Sequence, residues 1–303
     1  MRKRFFSSFL KKFRFGSKLM DVFYRFLSWF SKVKYYALRF LVWVAAAITF
    51  LVLIFIIAYI LFNGTPHITP SLFSLKYNSR NVSLFPALVT TVLTVLSSLL
   101  IAVPFGISTA IFLVEYAKRG SRAVKLIRVT AETLSGIPSI VYGLFGMLFF
   151  VTFLHWGFSL LAGSFTLSIM ILPLIIRTTE ESLKAVPDSF REGSFGLGAG
   201  RLRTVFRVVL PSAMPGILAG IILSIGRIVG ETAALIYTAG TVAKIPENPL
   251  ASGRTLAVHM WALSSEGLYT SQAYATAVIL LLVVILINAL SAYTARKIAK
   301  NSA

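Results

Sequence analysis

Long runs of apolar residues constrain the fold of this chain more than any other feature of its sequence. A helix needs about 20 mainly apolar residues to cross the hydrocarbon core of a bilayer. Six segments meet or approach that requirement: 38–62, 85–114, 134–153, 164–179, 214–239 and 272–295. Hydrophobic residues make up 57% of the chain and charged residues only 13%, a balance typical of membrane proteins. The sequence therefore predicts an all-α, polytopic membrane protein with six transmembrane helices.

The positive charges predict an orientation for these helices. The 303 residues include 30 Lys and Arg but only 10 Asp and Glu, which gives a formal charge of +20. Cytoplasmic loops of membrane proteins carry such an excess, and the basic segments here are 1–37, 115–128, 177–211 and 296–300. All four fall on one side of the predicted helices, so we place both termini in the cytoplasm. Nucleic acid is not an expected partner, because the chain has no basic soluble domain of useful size.

The segment 1–37 is basic and also rich in aromatic residues and leucine. This pattern predicts a helix lying on the anionic inner leaflet, with membrane lipids as its partner. A disordered basic arm that only sets orientation is the alternative. The apolar segment 38–62 begins too far into the chain for a cleavable signal peptide, so we expect a retained first transmembrane helix. Because the chain has no cysteine, disulfides, thiolate nucleophiles and Cys-bound metals are excluded.

A patterned polar stretch, Arg191 to Pro211, separates the fourth and fifth apolar segments. The residues that define its pattern are Glu192, Gly193, Ser194, Gly198, Val208, Leu210 and Pro211. We expect a short helix to begin at the first three, a sharp turn at Gly198, and Pro211 to end one element and start the next. The spacing resembles the E-A-A, Gly, I-x-L-P loop of permease subunits of ABC importers, which implies a cytoplasmic coupling helix seated on the ATPase subunit. A basic loop that merely joins two membrane helices is the alternative.

The fifth apolar segment contains two charged residues, Arg227 and Glu231. Four residues apart on one helix, they would share a face, and a charge near the middle of the membrane costs at least about 2.5 kcal/mol. We predict that they line a substrate pathway; a structural ion pair is the alternative. An arginine fork matches the oxygens of phosphate or carboxylate, and hydrogen phosphate could also donate a hydrogen bond to the acid. Glycines at four-residue spacing should let a neighbouring helix approach closely: Gly216, Gly220, Gly226 and Gly230.

Three motifs occur in order along the chain: P-S-I-V-Y-G, then I-R-T-T-E-E-S-L-K-A-V-P-D-S-F-R-E-G-S-F-G-L-G-A, then G-R-I-V-G-E-T-A-A-L. Together they resemble the PstA-type permeases of bacterial phosphate ABC importers, over roughly residue 85 to the C-terminus. The resemblance implies a type I importer permease fold, MetI-like, over 85–296, with the coupling loop at 177–212. It implies a location in the inner membrane of a bacterial cell. It also implies that Arg177, Arg227 and Glu231 are associated with phosphate passage.

The same resemblance implies three kinds of protein partner: a related PstC-type permease, a PstB-type ATPase dimer and an external PstS-type binding protein. This chain has no G-x-x-x-x-G-K-[ST] motif, so ATP and Mg²⁺ are expected on the ATPase, with no cofactor or catalytic residue here. The chain departs from the family pattern in three places. It has E-G-S in place of E-A-A, Ala234 where proline is usual, and little likeness over 241–271.

Other function classes make different predictions. A permease for phosphonate, sulfate or molybdate would differ only in substrate. A passive anion channel or secondary carrier would need no ATPase and would leave the stretch from Arg191 to Pro211 without a role. A signalling scaffold would tolerate neutralisation of Arg227 and Glu231. A membrane enzyme lacks any nucleophile, metal or acid–base constellation in the sequence.

Overall fold

A computed structural model describes residues 34–118 and 120–301. Contacts divide the chain into two compact units, 1–59 and 60–303. Every regular element in the described ranges is helical, so the all-α prediction is confirmed. The helix predicted in the basic N-terminal segment falls on residues 1–33 for nearly all its length and lies outside the described residues.

Helix α1, Lys34–His67, covers the first predicted transmembrane segment. Within residues 34–59 nearly every side chain is exposed, including large ones such as Phe40 and Trp43. A helix that is apolar on all sides is stable in a membrane rather than in water. This unit therefore has the surface of a lipid-embedded helix.

The helices that follow pack around one another. They are α2 (Phe85–Ile111), α3 (Arg122–Ser135), α4 (Ser139–Gly146), α5 (Leu160–Ala185), α6 (Asp188–Gly196), α7 (Arg201–Thr204), α8 (Leu210–Val229), α9 (Ala233–Ile236), α10 (Leu256–Glu266) and α11 (Thr270–Asn301). Wider π turns extend α2 over Phe112–Tyr116, extend α4 over Met147–Phe153, and join α7 to α8 over Val205–Val209. Among the described residues, five helices are long and apolar enough to cross a membrane, and a bent pair makes six if it counts as one span.

Helix α5 lies at the centre of the core, between α2 and α8. Hydroxyl groups join it to α2: Ser97 and Ser164 hydrogen-bond at 2.6 Å, and Ser168 donates to the Ser98 carbonyl at 3.0 Å. Such bonds hold helices together where no water competes. Against α8 the packing is so close that a Cβ at Gly216 or Gly220 would collide with α5.

The structure therefore supports only half of the predicted glycine pattern. Gly216 and Gly220 face the side chains of Ser182 and Thr178 on α5. A Cβ at Gly226 would meet nothing within 4 Å, and one at Gly230 only the backbone of its own helix end. In the described chain the first two glycines serve helix contact and the last two do not.

The third apolar segment was expected to form one helix over 134–153, preceded by a cytoplasmic loop. The single helix is wrong, because the chain bends by 102° between Ser135 and Ser139. Part of the expected loop is also helical, because α3 already begins at Arg122, and the cytoplasmic position of that loop stays a prediction. Pro138 stands at the N-cap of α4 rather than within its first turn. It lacks an N–H and disfavours a helical residue before it, which ends α3. The Tyr142 hydroxyl donates to the carbonyl of Leu134 at 2.7 Å and fixes the bend.

The segment 241–271, which shows little likeness to the family pattern, contains α10 and is well packed. Leu256 and Leu263 are fully buried against residues of the 72–84 segment. The Arg254 guanidinium lies 4.7 Å from the centre of the Tyr77 ring. Burial, followed by the nearby charge of Arg254, lowers the pKa of His259 to about 3, so this histidine is neutral at physiological pH.

Candidate functional site

The predicted face shared by Arg227 and Glu231 does not exist in the structure. Helix α8 ends at Val229 with Gly230 as its C-cap, so Glu231 lies beyond the helix. The Glu231 carboxylate accepts a hydrogen bond from the Ala234 amide at 3.1 Å, at the start of α9. Within residues 34–118 and 120–301 the two residues form no ion pair. Glycine is a poor helix former and a favoured helix end, and this local signal outweighs the apolar run that predicted one helix over 214–239.

Arg227 instead lines a cavity of about 310 Å³ together with Arg177. Helices α3, α5 and α8 form its walls. Its charged lining consists of Arg128, Glu132, Arg177, Glu180, Glu181, Lys184 and Arg227. The two arginines implied by the resemblance therefore meet at one cavity, and Glu231 is not among its lining residues.

The lining contains four cations and three carboxylates. Glu180, only 7% exposed, accepts from Lys184 at 2.6 Å and pairs with Arg128 at 2.6 Å through the same oxygen. Arg177 pairs with Glu181 at 3.1 Å, and both of these side chains are largely exposed. The half-buried Arg227 makes no ion pair in the described part of the chain. A cavity with surplus positive charge and an unpaired guanidinium suits an anionic guest.

The sequence analysis did not predict the ion pairs that Glu180 makes in this cavity. The i, i+4 spacing of Glu180 and Lys184 is a sequence signal for a helical ion pair and could have been used. The contact between Arg128 and Glu180 could not have been predicted from the sequence, because it depends on how α3 packs against α5 near the bend at Pro138.

Helix α6 begins earlier than expected. It runs from Asp188 to Gly196 with Pro187 at its N-cap, so the E-G-S residues lie within the helix and not at its start. Proline before a helix and an acid in its first turn are both favourable start signals. The turn predicted at Gly198 is present, because this residue has φ of +82°.

Val208, Leu210 and Pro211 do not close an element as predicted. They lie inside one continuous helix, Arg201–Val229. The π turn over Val205–Val209 explains the difference, because its wider hydrogen-bond ladder accommodates a proline that has no N–H to donate. Ser194 and Thr204 hydrogen-bond at 2.8 Å and hold α6 against this helix.

Large apolar side chains are exposed along the segment from α6 to the π turn. They are Phe190, Phe195, Leu197, Leu202 and Phe206, with exposures from 46% to 91%. Exposed apolar side chains grouped in this way, with basic residues between them, indicate a protein contact surface.

Comparison with known families decides the class of the chain. Residues 102–300 match the family described as binding-protein-dependent transport system inner membrane component. The chain belongs to this family. Family members are permease subunits of ABC importers that cross the inner membrane several times and catalyse no reaction themselves. They act with a second permease, an ATPase dimer that uses the ATP, and a binding protein.

Relatives within this family include proteins named for phosphate and proteins with no named substrate. A probable ABC transporter permease protein, YqgI of Bacillus subtilis, is 34% identical over 74% of this chain and 81% of its own. Phosphate transport system permease protein PstA 2 of Mycobacterium bovis is 36% identical over 66% of this chain and 67% of its own. PstA 1 of Mycobacterium tuberculosis is 42% identical over a shorter region, 46% of this chain and 45% of its own.

Solved importer structures share the fold at low sequence identity. A permease chain of a bacterial alginate ABC transporter superposes with a TM-score of 0.63 at 15% identity, covering 85% of this chain and 96% of its own. A chain of the MetNI methionine transporter in inward-facing form gives 0.56 at 19% identity, covering 71% and 94%. The predicted MetI-like importer permease fold is thus confirmed.

Proposed function

We propose that this chain is the PstA-type permease of an importer for inorganic phosphate. The cavity shared by Arg177 and Arg227 carries the proposal. Hydrogen phosphate presents oxygens that accept from a guanidinium fork and a hydroxyl that donates to a carboxylate. The cavity offers both kinds of group, and a fully ionised oxyanion such as sulfate would use only the cations. The phosphate names of several relatives support the same substrate.

In this proposal Arg227 and Arg177 bind the passing anion, and Glu231 fixes the wall where α8 ends. Glu231 lies half-buried after the break and holds the first turn of α9. The partners would be a PstC-type permease, a PstB-type ATPase dimer and a PstS-type binding protein. The chain needs no cofactor of its own, because hydrolysis of ATP with Mg²⁺ belongs to the ATPase.

The segment 188–211 supplies the proposed coupling to the ATPase. Its apolar side chains would enter a groove on the ATPase, and the turn at Gly198 would shape the contact. Glu192, Gly193 and Ser194 lie on the docking helix, and Val208, Leu210 and Pro211 lead from it into the membrane helix. The exposure of Leu197, at 91%, supports this role because the residue is apolar and unburied within the chain.

The decisive experiment replaces Arg227 by Gln in the importer reconstituted with its partners. Because Arg227 is not paired with Glu231, this change strands no carboxylate, and the complex should assemble. Loss of a charge-assisted bond costs about 2–5 kcal/mol, so uptake of labelled phosphate should fall at least about 30-fold. Lys125→Gln, on the exposed side of α3, is the matched control and should transport normally.

Three outcomes would contradict the proposal. Normal phosphate uptake by Arg227→Gln would remove Arg227 from the pathway. Uptake of sulfate, molybdate or a phosphonate by the unaltered complex, with phosphate excluded, would assign the cavity to a different oxyanion. Transport without the ATPase would favour a channel or carrier.

A further inference from the structure

The guanidinium of Arg191 joins three separate elements at the cytoplasmic end of the fold. Arg191 lies on α6, and its side chain is only 14% exposed. It bonds to the carboxylate of Glu115 at 2.7 and 3.1 Å. It also donates to the carbonyls of Leu183 at 2.9 Å and Val186 at 2.8 Å. A weaker contact of 3.3 Å reaches the exposed Asp188. All three guanidinium nitrogens are engaged.

Each contact has a distinct structural consequence. Glu115 lies in the π turn that ends α2, and it is only 7% exposed. The carbonyls of Leu183 and Val186 belong to the last turn and C-cap of α5. They are among the groups that a helix end leaves unsatisfied, and a cation there also suits the helix dipole. One side chain therefore ties α6 to the ends of both α2 and α5.

The junction that Arg191 spans, between α5 and α6, is short. Val186 and Pro187 connect the helices, with ψ of 124° and 140°. Proline fixes its own φ and keeps the residue before it extended. The bonds from Arg191 to both sides of this junction add a second restraint on the position of α6.

We propose that Arg191 and Glu115 form a strut that transmits displacement of α6 to α2 and α5. This inference rests on the proposed docking of α6 to the ATPase. Arg191 acts as a positioning residue and does not contact the substrate. Because α5 carries Arg177 and Glu180 of the cavity, movement of α6 by the ATPase moves the cavity wall with it. If the strut is removed, α6 can follow the ATPase while the cavity stays in place.

The test uses the complete importer in liposomes and measures phosphate uptake and ATP hydrolysis on the same preparations. The variant Arg191→Gln with Glu115→Gln removes both charges, so neither is left buried and unpaired. We expect assembly and ATP hydrolysis to persist while uptake per ATP hydrolysed falls by about 5- to 150-fold, the usual range of coupling between sites. Asp188→Asn is the matched control, because its side chain is 71% exposed and touches the same guanidinium.

A second measurement does not depend on the substrate. Spin labels on cysteines at Phe105 of α2 and Ser189 of α6, both exposed, report the distance between the two helices, and the chain has no native cysteine to interfere. With the strut intact this distance should stay constant when ATP is trapped. In the double variant it should change and its distribution should broaden.

The outcomes of the two measurements distinguish the strut from the proposed substrate. An unaltered complex that imports no phosphate but holds the label distance fixed would refute the proposed substrate and retain the strut. A normal ratio of uptake to hydrolysis in the double variant would overturn the strut. So would failure of the double variant to assemble, because the contact would then serve folding only.

Discussion

Substitution of Gly198 tests the docking segment, because a side chain at this turn would strain the backbone without clashing with the rest of the described chain. Its φ of +82° lies in the left-handed region, where a residue with a Cβ costs about 1–2 kcal/mol. A Cβ at this position would meet nothing within 4 Å of the chain itself. Any loss caused by Gly198→Ala therefore comes from conformation or from a partner, and not from a clash inside the permease.

We expect Gly198→Ala to weaken binding of the ATPase by about 5- to 30-fold, which corresponds to the same 1–2 kcal/mol. The free turn can relax toward an ordinary conformation, and docking then has to restore the strained one. Gly198→Asn should lose less, because asparagine tolerates the left-handed region, and Gly198→Val should lose more. Titration of purified ATPase onto the reconstituted permease pair measures the affinities directly.

The control is Gly193→Ala on α6. This position is also open, with nothing within 4 Å of an added Cβ, but it is helical. Alanine there should favour the helix by up to about 1 kcal/mol and leave binding intact or slightly stronger. Unchanged affinity for both Gly198→Ala and Gly198→Val would refute the argument. If Gly198→Asn binds the ATPase more weakly than Gly198→Ala does, side-chain volume at the interface matters more than backbone strain.

Two further predictions concern stability. Gly220→Ala should lower the free energy of unfolding of the permease in detergent by about 1–3 kcal/mol, because the new Cβ meets Thr178. The control Gly226→Ala should be neutral or stabilising. Equal effects of the two substitutions in thermal unfolding would contradict the helix contact at Gly220. His259 stays neutral in the fold with a pKa of about 3, whereas an unfolded histidine takes up its proton near pH 6.5. The free energy of unfolding should therefore fall by about 2 kcal/mol between pH 7 and 5. The variant His259→Asn should flatten that slope in thermal unfolding scans, and an unchanged slope would contradict the prediction.

Hydropathy alone was sufficient to predict the long helices. The runs that became α1, α2, α5 and α11 each lie within a helix long enough to cross a membrane, and the all-helical class agrees with the structure. In the described chain the predicted count of six is reached only if the bent pair of α3 and α4 is taken as one span. The breaks were missed because an apolar window averages over them. Pro138 and Gly230 are single residues, and each ends a helix within a run that still reads as continuous.

The contacts that matter most for the site carry no local signature. Arg128 meets Glu180, and Glu115 meets Arg191, across 52 and 76 positions of sequence. The resemblance to known permeases brought Arg177 and Arg227 into consideration, but only the structure places both at one cavity. The predicted pair of Arg227 and Glu231 failed for the opposite reason, since it assumed that regular helix geometry continues through Gly230.

The unbroken helix from Arg201 to Val229 has a mechanical consequence. It begins in the segment that faces the proposed ATPase and reaches Arg227 at the cavity, about 40 Å away at 1.5 Å per residue. A rod of that length behaves as a lever. A tilt of about 5° about its cytoplasmic end would carry Arg227 sideways by roughly 3 Å, about the length of one hydrogen bond. Under the proposed function, a small rocking of this one helix would therefore be enough to move the guanidinium away from a bound anion.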